Sequence, residues 1–398
     1  MTDKKQEAAH SRFGGSTADR FVNCPASVSR CEKMPPQEET TFTQEGTMLH
    51  AVCEWWLTQY KNNNYHRAGI SLKRWDLSAE QENVVMTFVD YVTARLDLWQ
   101  SRGYGVKLFI EERVRIPDHD DFYGTADVIL VAKNREGEVF MDVIDLKAGR
   151  GVEVHASHEG HMNRQLGYYG LGAFHSVLTD KLRKGFRAAH LTIVQPRFEN
   201  PFKTYTASLD DLIYLKIELV KAATLAEGEN PPARAGKWCR FCTAKPICEE
   251  HREQIQDMAK ADFAKEGGKP EELTGKQMAA LLSNAQVIEA WIQSVKAYAL
   301  HTIQYEDLEI PGWEAVPKRA VRKWKDKDWV RDALTTEEPF VEYAEDFCPR
   351  TPLSPVQMEN MGRKLGINME EFVELHTVAE SSGAKLAHTG EKSEEESK

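Results

Sequence analysis

No stretch of this chain is apolar enough to cross a membrane: nothing in its 398 residues approaches the run of roughly 20 that a spanning helix needs. The opening "MTDKKQEAAHSRFGG" lacks the apolar centre of a signal peptide. A cytoplasmic protein with no membrane partner is therefore expected. A positive balance is missing too. The net charge of −11 argues against a protein that coats nucleic acid by bulk attraction. No internal repeat is visible. Cysteine is scarce, at 7 residues, yet three of these fall close together.

What is present is an ordinary globular composition, 41% hydrophobic and 28% charged, on a chain long enough for two or three units with cores of their own. Positive charge is local. Lys147 to Lys203 holds nine Lys and Arg against four Asp and Glu, and Pro317 to Arg331 holds seven against two. Basic stretches on an acidic protein suit a confined nucleic-acid track, and solvated helix faces explain such runs as well. In "PKRAVRKWKDK", Arg322 and Lys323, with Trp324 beside them, are the candidates for backbone phosphate contact.

Periodicity predicts a helix over 46–61, with Leu49, Val52, Cys53 and Trp56 on one stripe. Ser78 is placed to cap a second helix that runs to about Ser101, where Gly103 and Gly105 stop it. Strands are predicted at 107–116, 126–133 and 138–146, with a hairpin turn in "KNREGE" between the last two. A helix over 161–178 and a strand at 188–195 follow. This order predicts an α/β (α+β) fold with a mixed central sheet flanked by helices. Beyond the linker-like "EGENPPARAGK", an amphipathic helix is predicted over 271–304.

Chemistry concentrates on a few of these elements. The strand in "VFMDVIDLKAGRG" ends in Asp145 and Lys147, one residue apart and so on one face. Upstream, Asp127 starts the apolar strand of "FYGTADVILV", just after Gly124, whose missing side chain permits a close approach. Two carboxylates on adjacent strands would offer oxygen ligands to a hard divalent cation such as Mg²⁺. Lys147 would then orient or deprotonate a water, or offset charge on a phosphate. A surface ion pair is the competing reading of that spacing. Gln165 and Tyr169, four apart in "NRQLGYYG", share a helical face from which both can hydrogen-bond a phosphate or base and Tyr169 can stack. His50 shares a face with Glu54 on the first helix, and imidazole can complete a metal shell. Glu111 and Glu112 on the preceding strand are extra acids without an assigned place: a solvated strand edge is the preferred reading, and a position for one of them behind the metal ligands is the alternative.

"KWCRFCTAKPIC" supplies Cys239, Cys242 and Cys248, a grouping that suggests metal more than disulfide in a cytosolic protein. A tetrahedral site needs a fourth ligand. Cys24 in "DRFVNCPAS" is the preferred candidate, and Cys31 competes with it. Cys53 reads as a small core residue and Cys348 as structural.

Taken together, G-x-x-x-H, G-x-x-D, D-x-K and Q-x-x-x-Y in this order resemble the RecB-like branch of the PD-(D/E)xK nucleases, over roughly residues 20–250. The resemblance implies a restriction-endonuclease-like core. It implies that His50, Asp127 and Asp145 hold Mg²⁺ or Mn²⁺, with the Leu146 carbonyl a further ligand. Lys147 would assist the attacking water, and Gln165 and Tyr169 would engage DNA. The wide Cys24 to Cys239 separation is similar to that of the iron–sulfur nucleases (AddB-type subunits and CRISPR-adaptation exonucleases). This implies a [4Fe-4S] cluster on Cys24, Cys239, Cys242 and Cys248, with Zn²⁺ the alternative. The whole chain also resembles uncharacterised phage and prophage proteins. The expectation is a metal-dependent DNA exonuclease in phage replication or recombination, with single-strand-binding or recombination proteins as further partners. A non-hydrolytic DNA-end-binding scaffold of the same fold is the rival, against which the intact acid–acid–Lys set weighs. The expected organisation is an N-terminal segment (1–45) that supplies one cluster cysteine, a nuclease core ending in the other three (46–255), a long helical segment (256–305), a small mixed region (306–378) and a disordered acidic tail (379–398).

Overall fold

The protein is seen in a computed structural model that describes residues 11–36, 40–263, 274–349, 351–381 and 383–388. Helices come first: α1 (Ala18–Asn23), α2 (Ser27–Glu32), α3 (Thr41–Asn62) and α4 (Ala79–Ser101). α3 buries Leu49, Val52, Cys53, Trp56, Leu57 and Tyr60 on its predicted stripe. α4 starts at a capping box, in which the Ser78 hydroxyl takes the Gln81 N–H and the Gln81 side chain takes the Ser78 N–H. It ends before Gly103, whose φ of +81° suits glycine.

Three strands follow, β1 (Gly105–Arg115), β2 (Tyr123–Lys133) and β3 (Val139–Leu146). Next come a small hairpin, β4 (Ser157–His158) with β5 (His161–Met162), then α5 (Arg164–Ser176) and α6 (Asp180–Lys184). β6 (Phe186–Val194) and β7 (Phe202–Ala207) complete the main sheet, whose spatial order is β1-β2-β3-β6-β7. β3 and β6 are parallel and the other neighbours antiparallel, so the sheet is mixed, as expected. The four predicted strands form within three residues of their expected bounds. Beyond that expectation lie the edge strand β7 and α7 (Leu209–Ala226), which opens at a Ser208–Asp211 capping box.

β2 is apolar on both faces because both are covered. Val128 and Leu130 pack with α3 and α4, around Leu49, Val52, Val85, Phe88 and Leu96. Ile129 and Val131 join the opposite core, with Leu166 and Tyr168 of α5 and Leu212 and Leu215 of α7. Asp142 interrupts the apolar run of β3 and is 1% exposed. It is matched from α4: Arg95 Nε donates to its Oδ1 at 3.0 Å, and the Trp99 indole N–H donates to Oδ2.

The chain divides into two compact units, Met1–Val287 and Ile288–Lys398. After α8 (Glu249–Phe263) and α9 (Gly275–Tyr305), the second unit pairs β8 (Trp313–Pro317) with β11 (Ala384–His388) and β9 (Val321–Trp324) with β10 (Thr377–Glu380). Its core joins α10 (Lys327–Thr336), α11 (Ala344–Phe347), α12 (Pro355–Leu365) and α13 (Glu370–His376) through Leu334, Phe347, Met358 and Val373. The expected disordered tail is corrected at 384–388. Pairing with β8 satisfies that backbone where composition alone promised no order. Residues 389–398 lie outside the described residues.

Replacing Asp142 by Ala should leave the half-buried Arg95 guanidinium and the buried Trp99 indole N–H without their partner. A loss of about 3–5 kcal/mol is expected in chemical denaturation of the first unit; a loss under about 1 kcal/mol would mean the pair does not pin α4 to the sheet.

Candidate functional site

The acids Asp127 and Asp145 meet because the β2–β3 ladder stops short of them. Its last pair is Val128 and Ile144. Beyond it the Asp127 side chain takes the place of the neighbouring backbone, and its Oδ2 accepts the Leu146 N–H at 2.7 Å. β3 keeps its parallel partner to the end, and the Lys147 N–H donates to the Val194 carbonyl at 2.8 Å. The strand end is therefore held on both sides. Lys147 Nζ turns back to within 2.7 Å of Asp145 Oδ2. That buried oxygen is therefore matched by the Lys147 ammonium as an ion pair.

The neighbouring elements deliver the remaining groups. From α3, His50 Nδ1 lies 3.5 Å from Asp127 Oδ2. From α5, Gln165 Nε2 donates to Asp145 Oδ1 and to the Tyr169 hydroxyl, each at 3.3 Å. The predicted residues His50, Asp127, Asp145, Lys147, Gln165 and Tyr169 thus converge. Tyr169, 7% exposed, packs its ring on two glycines. A Cβ at Gly15 would sit 2.7 Å from the Tyr169 ring, and one at Gly124 would sit 3.1 Å away. Gly124 permits the close approach expected of it. The stacking role for Tyr169 is corrected: with its ring enclosed in the core, only the hydroxyl reaches the site.

Glu111 is the acid that sequence reasoning misplaced. The ladder pairs Ile110 with Val128 and Glu112 with Ala126, so Glu111 stands opposite Asp127. Its φ of +46° is unusual for a non-glycine residue and costs about 1–3 kcal/mol, a strain that clusters at functional sites. Among the described residues, the group of three His, Cys, Asp or Glu whose ligand atoms lie within 4.8 Å of one another is His50, Glu111 and Asp127. Two adjacent acids in an apolar strand were the available signal, but only the hairpin register shows which one faces Asp127. Arg197, 6% exposed, was likewise legible only as one more basic residue. Its guanidinium joins Glu45 on α3 at 2.7 Å, Glu80 on α4 at 3.0 Å and the Ala148 carbonyl just after Lys147.

The electrostatics are those of a crowded acidic pocket. Burial and the neighbouring Asp127 push the Glu111 carboxyl up to about 7. Burial also raises Asp145, against the pull of Lys147. Burial acts on Asp127 in the same direction, but His50, the Leu146 N–H and Lys147 outweigh it and hold that carboxyl below its usual range. The His50 ring is raised despite burial, through its bond to Asp127. His50, Glu111 and Asp127, one imidazole and two carboxylates with ligand atoms within 4.8 Å of one another, fit a hard divalent cation.

Cys24, Cys239, Cys242 and Cys248 line one small cavity with Arg20, Arg30 and Lys245. Cys24 accepts the Arg234 N–H and Cys239 the Gly236 N–H, each at 3.4 Å. Arg30, itself paired with Glu250, donates to Cys248 Sγ at 3.2 Å. These donors suit thiolates, and the four free sulfurs fit a metal group. Cys53 lies in the α3 core and Cys348 against the core of the second unit, as expected. In that unit Arg322 is committed to a bidentate pair with Glu359 (2.6 and 2.9 Å), and the Trp324 indole donates inward to the Leu353 carbonyl. Lys323 is exposed on β9.

Fold and site together define a mixed α/β protein with a candidate cation pocket at one end of its sheet. Residues 10–392 match the DUF2800 family, described as a protein of unknown function, and the chain belongs to that family. No curated protein matches it. Among the described residues no helix is long and apolar enough to cross a membrane.

Glu111→Gln separates cation binding from folding. The folded Glu111 value, about 7, lies above its ordinary 4.5. The stability this group lends the metal-free protein is thus full below pH 4.5 and lost as pH rises through 7. Above pH 7 the metal-free variant should melt higher than the parent, yet bind Mn²⁺ roughly tenfold or more weakly by calorimetry. Parental affinity in the variant would place Glu111 outside the cation site.

Proposed function

We propose that the protein is a divalent-cation-dependent deoxyribonuclease of the RecB-like PD-(D/E)xK type, an exonuclease acting on DNA ends. The observation that carries this reading is the convergence of His50, Glu111 and Asp127, with the Asp145–Lys147 ion pair at the end of the adjacent strand. Such a surplus of partly buried acid is costly in a pure binding scaffold and useful in a hydrolase.

Bound at the pocket, Mg²⁺ or Mn²⁺ would supply Lewis acidity toward a phosphate oxygen. His50, Glu111, Asp127 and Asp145 would hold it, with the Leu146 carbonyl adjoining. Lys147 would orient the attacking water and offset charge on the phosphate, and Asp145 holds its ammonium at 2.7 Å. The water oxygen bonds to phosphorus as the bond to the departing sugar oxygen breaks. Gln165 would present its amide to a phosphate oxygen, steadied by the Tyr169 hydroxyl. Lys323 would add backbone contact from the second unit.

The cysteine cavity is read as the seat of a [4Fe-4S] cluster. Zn²⁺ on the same four sulfurs is the alternative. The cluster would act as a staple, since Cys24 precedes every residue of the catalytic set and the other three follow them.

End-labelled linear, nicked and covalently closed DNA incubated with Mg²⁺ or Mn²⁺ tests the activity. Linear DNA should be shortened from its ends and the closed circle spared. Lys147→Ala should lower the rate by at least about 100-fold while leaving DNA affinity nearly intact; an undiminished rate would sink the assignment. For the staple, Cys24→Ser should lose iron and acid-labile sulfide and melt at a lower temperature. Iron retained at parental levels would remove Cys24 from the ligand set.

A further inference from the structure

Past Lys147 the chain runs without helix or strand to Ala156. Gly149 and Gly151 offer no side chain to pack there, and Arg150 is exposed. Side chains from β7 and from the connection that precedes it nevertheless hold this segment. Arg197 Nη1 donates to the Ala148 carbonyl at 2.5 Å. Gln195, 1% exposed, donates to the Val152 carbonyl at 2.7 Å and accepts the Val154 N–H at 2.9 Å. Lys203 Nζ pairs with Glu153 at 3.0 Å. Of these anchors, Arg197 also reaches both helices on the other side. Its Nη2 donates to Glu45 Oε1 on α3 at 2.7 Å, and its Nε to Glu80 Oε1 on α4 at 3.0 Å. Glu45 precedes His50 on the same helix. One guanidinium therefore ties the helix that carries the imidazole of the cation pocket to the residue that follows Lys147.

We propose that Arg197 is a positioning residue for hydrolysis, fixing where the Lys147 amine stands relative to the pocket of His50, Glu111 and Asp127. The hydrolytic role rests on the nuclease reading; the hold on the segment does not. The Lys147 N–H is bound to the Val194 carbonyl, and the carbonyl of the next residue is bound to Arg197. The Lys147 backbone is thus held on both sides, and with it the Cα–Cβ direction from which the amine is aimed. A reacting group displaced by about 1 Å can lose about 100-fold in rate, so a hold of this kind acts on turnover without touching substrate. Arginine suits the task because its rigid fork bonds two carboxylates and a carbonyl at once. A lysine would keep the charge between Glu45 and Glu80 but offer a single mobile nitrogen to all three.

The test compares the full-length protein with its Arg197→Lys and Arg197→Ala variants. On end-labelled linear DNA, with DNA and Mn²⁺ saturating, Arg197→Lys should turn over about 10- to 100-fold more slowly. Its dissociation constants for Mn²⁺ and DNA should stay within about twofold of the parent's. Guanidinium ion, added well below denaturing concentration, should restore part of the rate to Arg197→Ala and none to Lys147→Ala. Amide hydrogen exchange read by mass spectrometry needs no activity. Peptides covering 147–154 should exchange faster in both variants, while those covering 128–143 keep the parental rate. Parental turnover in Arg197→Lys overturns the proposal. So does a rate loss matched by an equal loss of Mn²⁺ affinity, since Arg197 would then act on the cation pocket itself. Faster exchange spread evenly over the sheet also overturns it, as the mark of a merely structural residue. A parent protein that cleaves no DNA sinks the nuclease reading and the hydrolytic role with it. The exchange measurement then still decides the hold, which unchanged exchange at 147–154 would refute.

Discussion

A single side chain-to-backbone hydrogen bond, from the Leu146 N–H to Asp127, sets the geometry on which the site depends. Two strands that stayed paired to their ends would have satisfied each other's backbone and left no place for a carboxylate. Here the antiparallel ladder ends at Val128 and Ile144, while the parallel ladder to β6 runs on to Lys147. The freed N–H on the β2 side needs an acceptor, because an unpaired buried donor costs about 1–3 kcal/mol. Asp127 provides it. The same bond therefore completes the backbone accounting of β3 and aims one acid at the neighbourhood of the other.

Around that bond the protein gathers charge that its fold does not neutralise. Asp142 and Asp145 lie on the same strand and both are buried. Arg95 and Trp99 satisfy both carboxylate oxygens of Asp142. Asp145 is matched by the Lys147 ammonium, and Glu111 nearby is strained and pushed toward neutrality. Two buried acids on one strand thus have different partners: α4 supplies Arg95 for one, and the residue just past the strand, Lys147, serves the other. Consistency at every level except one place is what a functional site looks like in an otherwise stable protein.

The cysteine module closes the same unit from outside the sheet. Besides its sulfurs, the N-terminal segment is joined to the linker by a backbone bond from the Ala26 N–H to the Pro232 carbonyl at 3.2 Å. A metal group on the four sulfurs, as proposed, would close a long loop and so restrict the unfolded chain, and its thiolate bonds would add folding free energy directly.

Much of this was legible in the order of residues, because the signals are local. Apolar period marks α3 and β2, Ser78 and Gln81 mark the start of α4, and the D-x-K and Q-x-x-x-Y spacings place each pair on one face of one element. The sequence by itself determined those elements, the mixed sheet and six members of the site. Tertiary structure alone decided the rest. Glu111 joins Asp127 through hairpin register, Tyr169 is enclosed by Gly15 and Gly124, Arg197 bridges three segments, and Cys31 meets Cys242 across the fold. Each of these depends on how distant segments pack, and packing distance between far-separated residues leaves no periodic trace in a single chain.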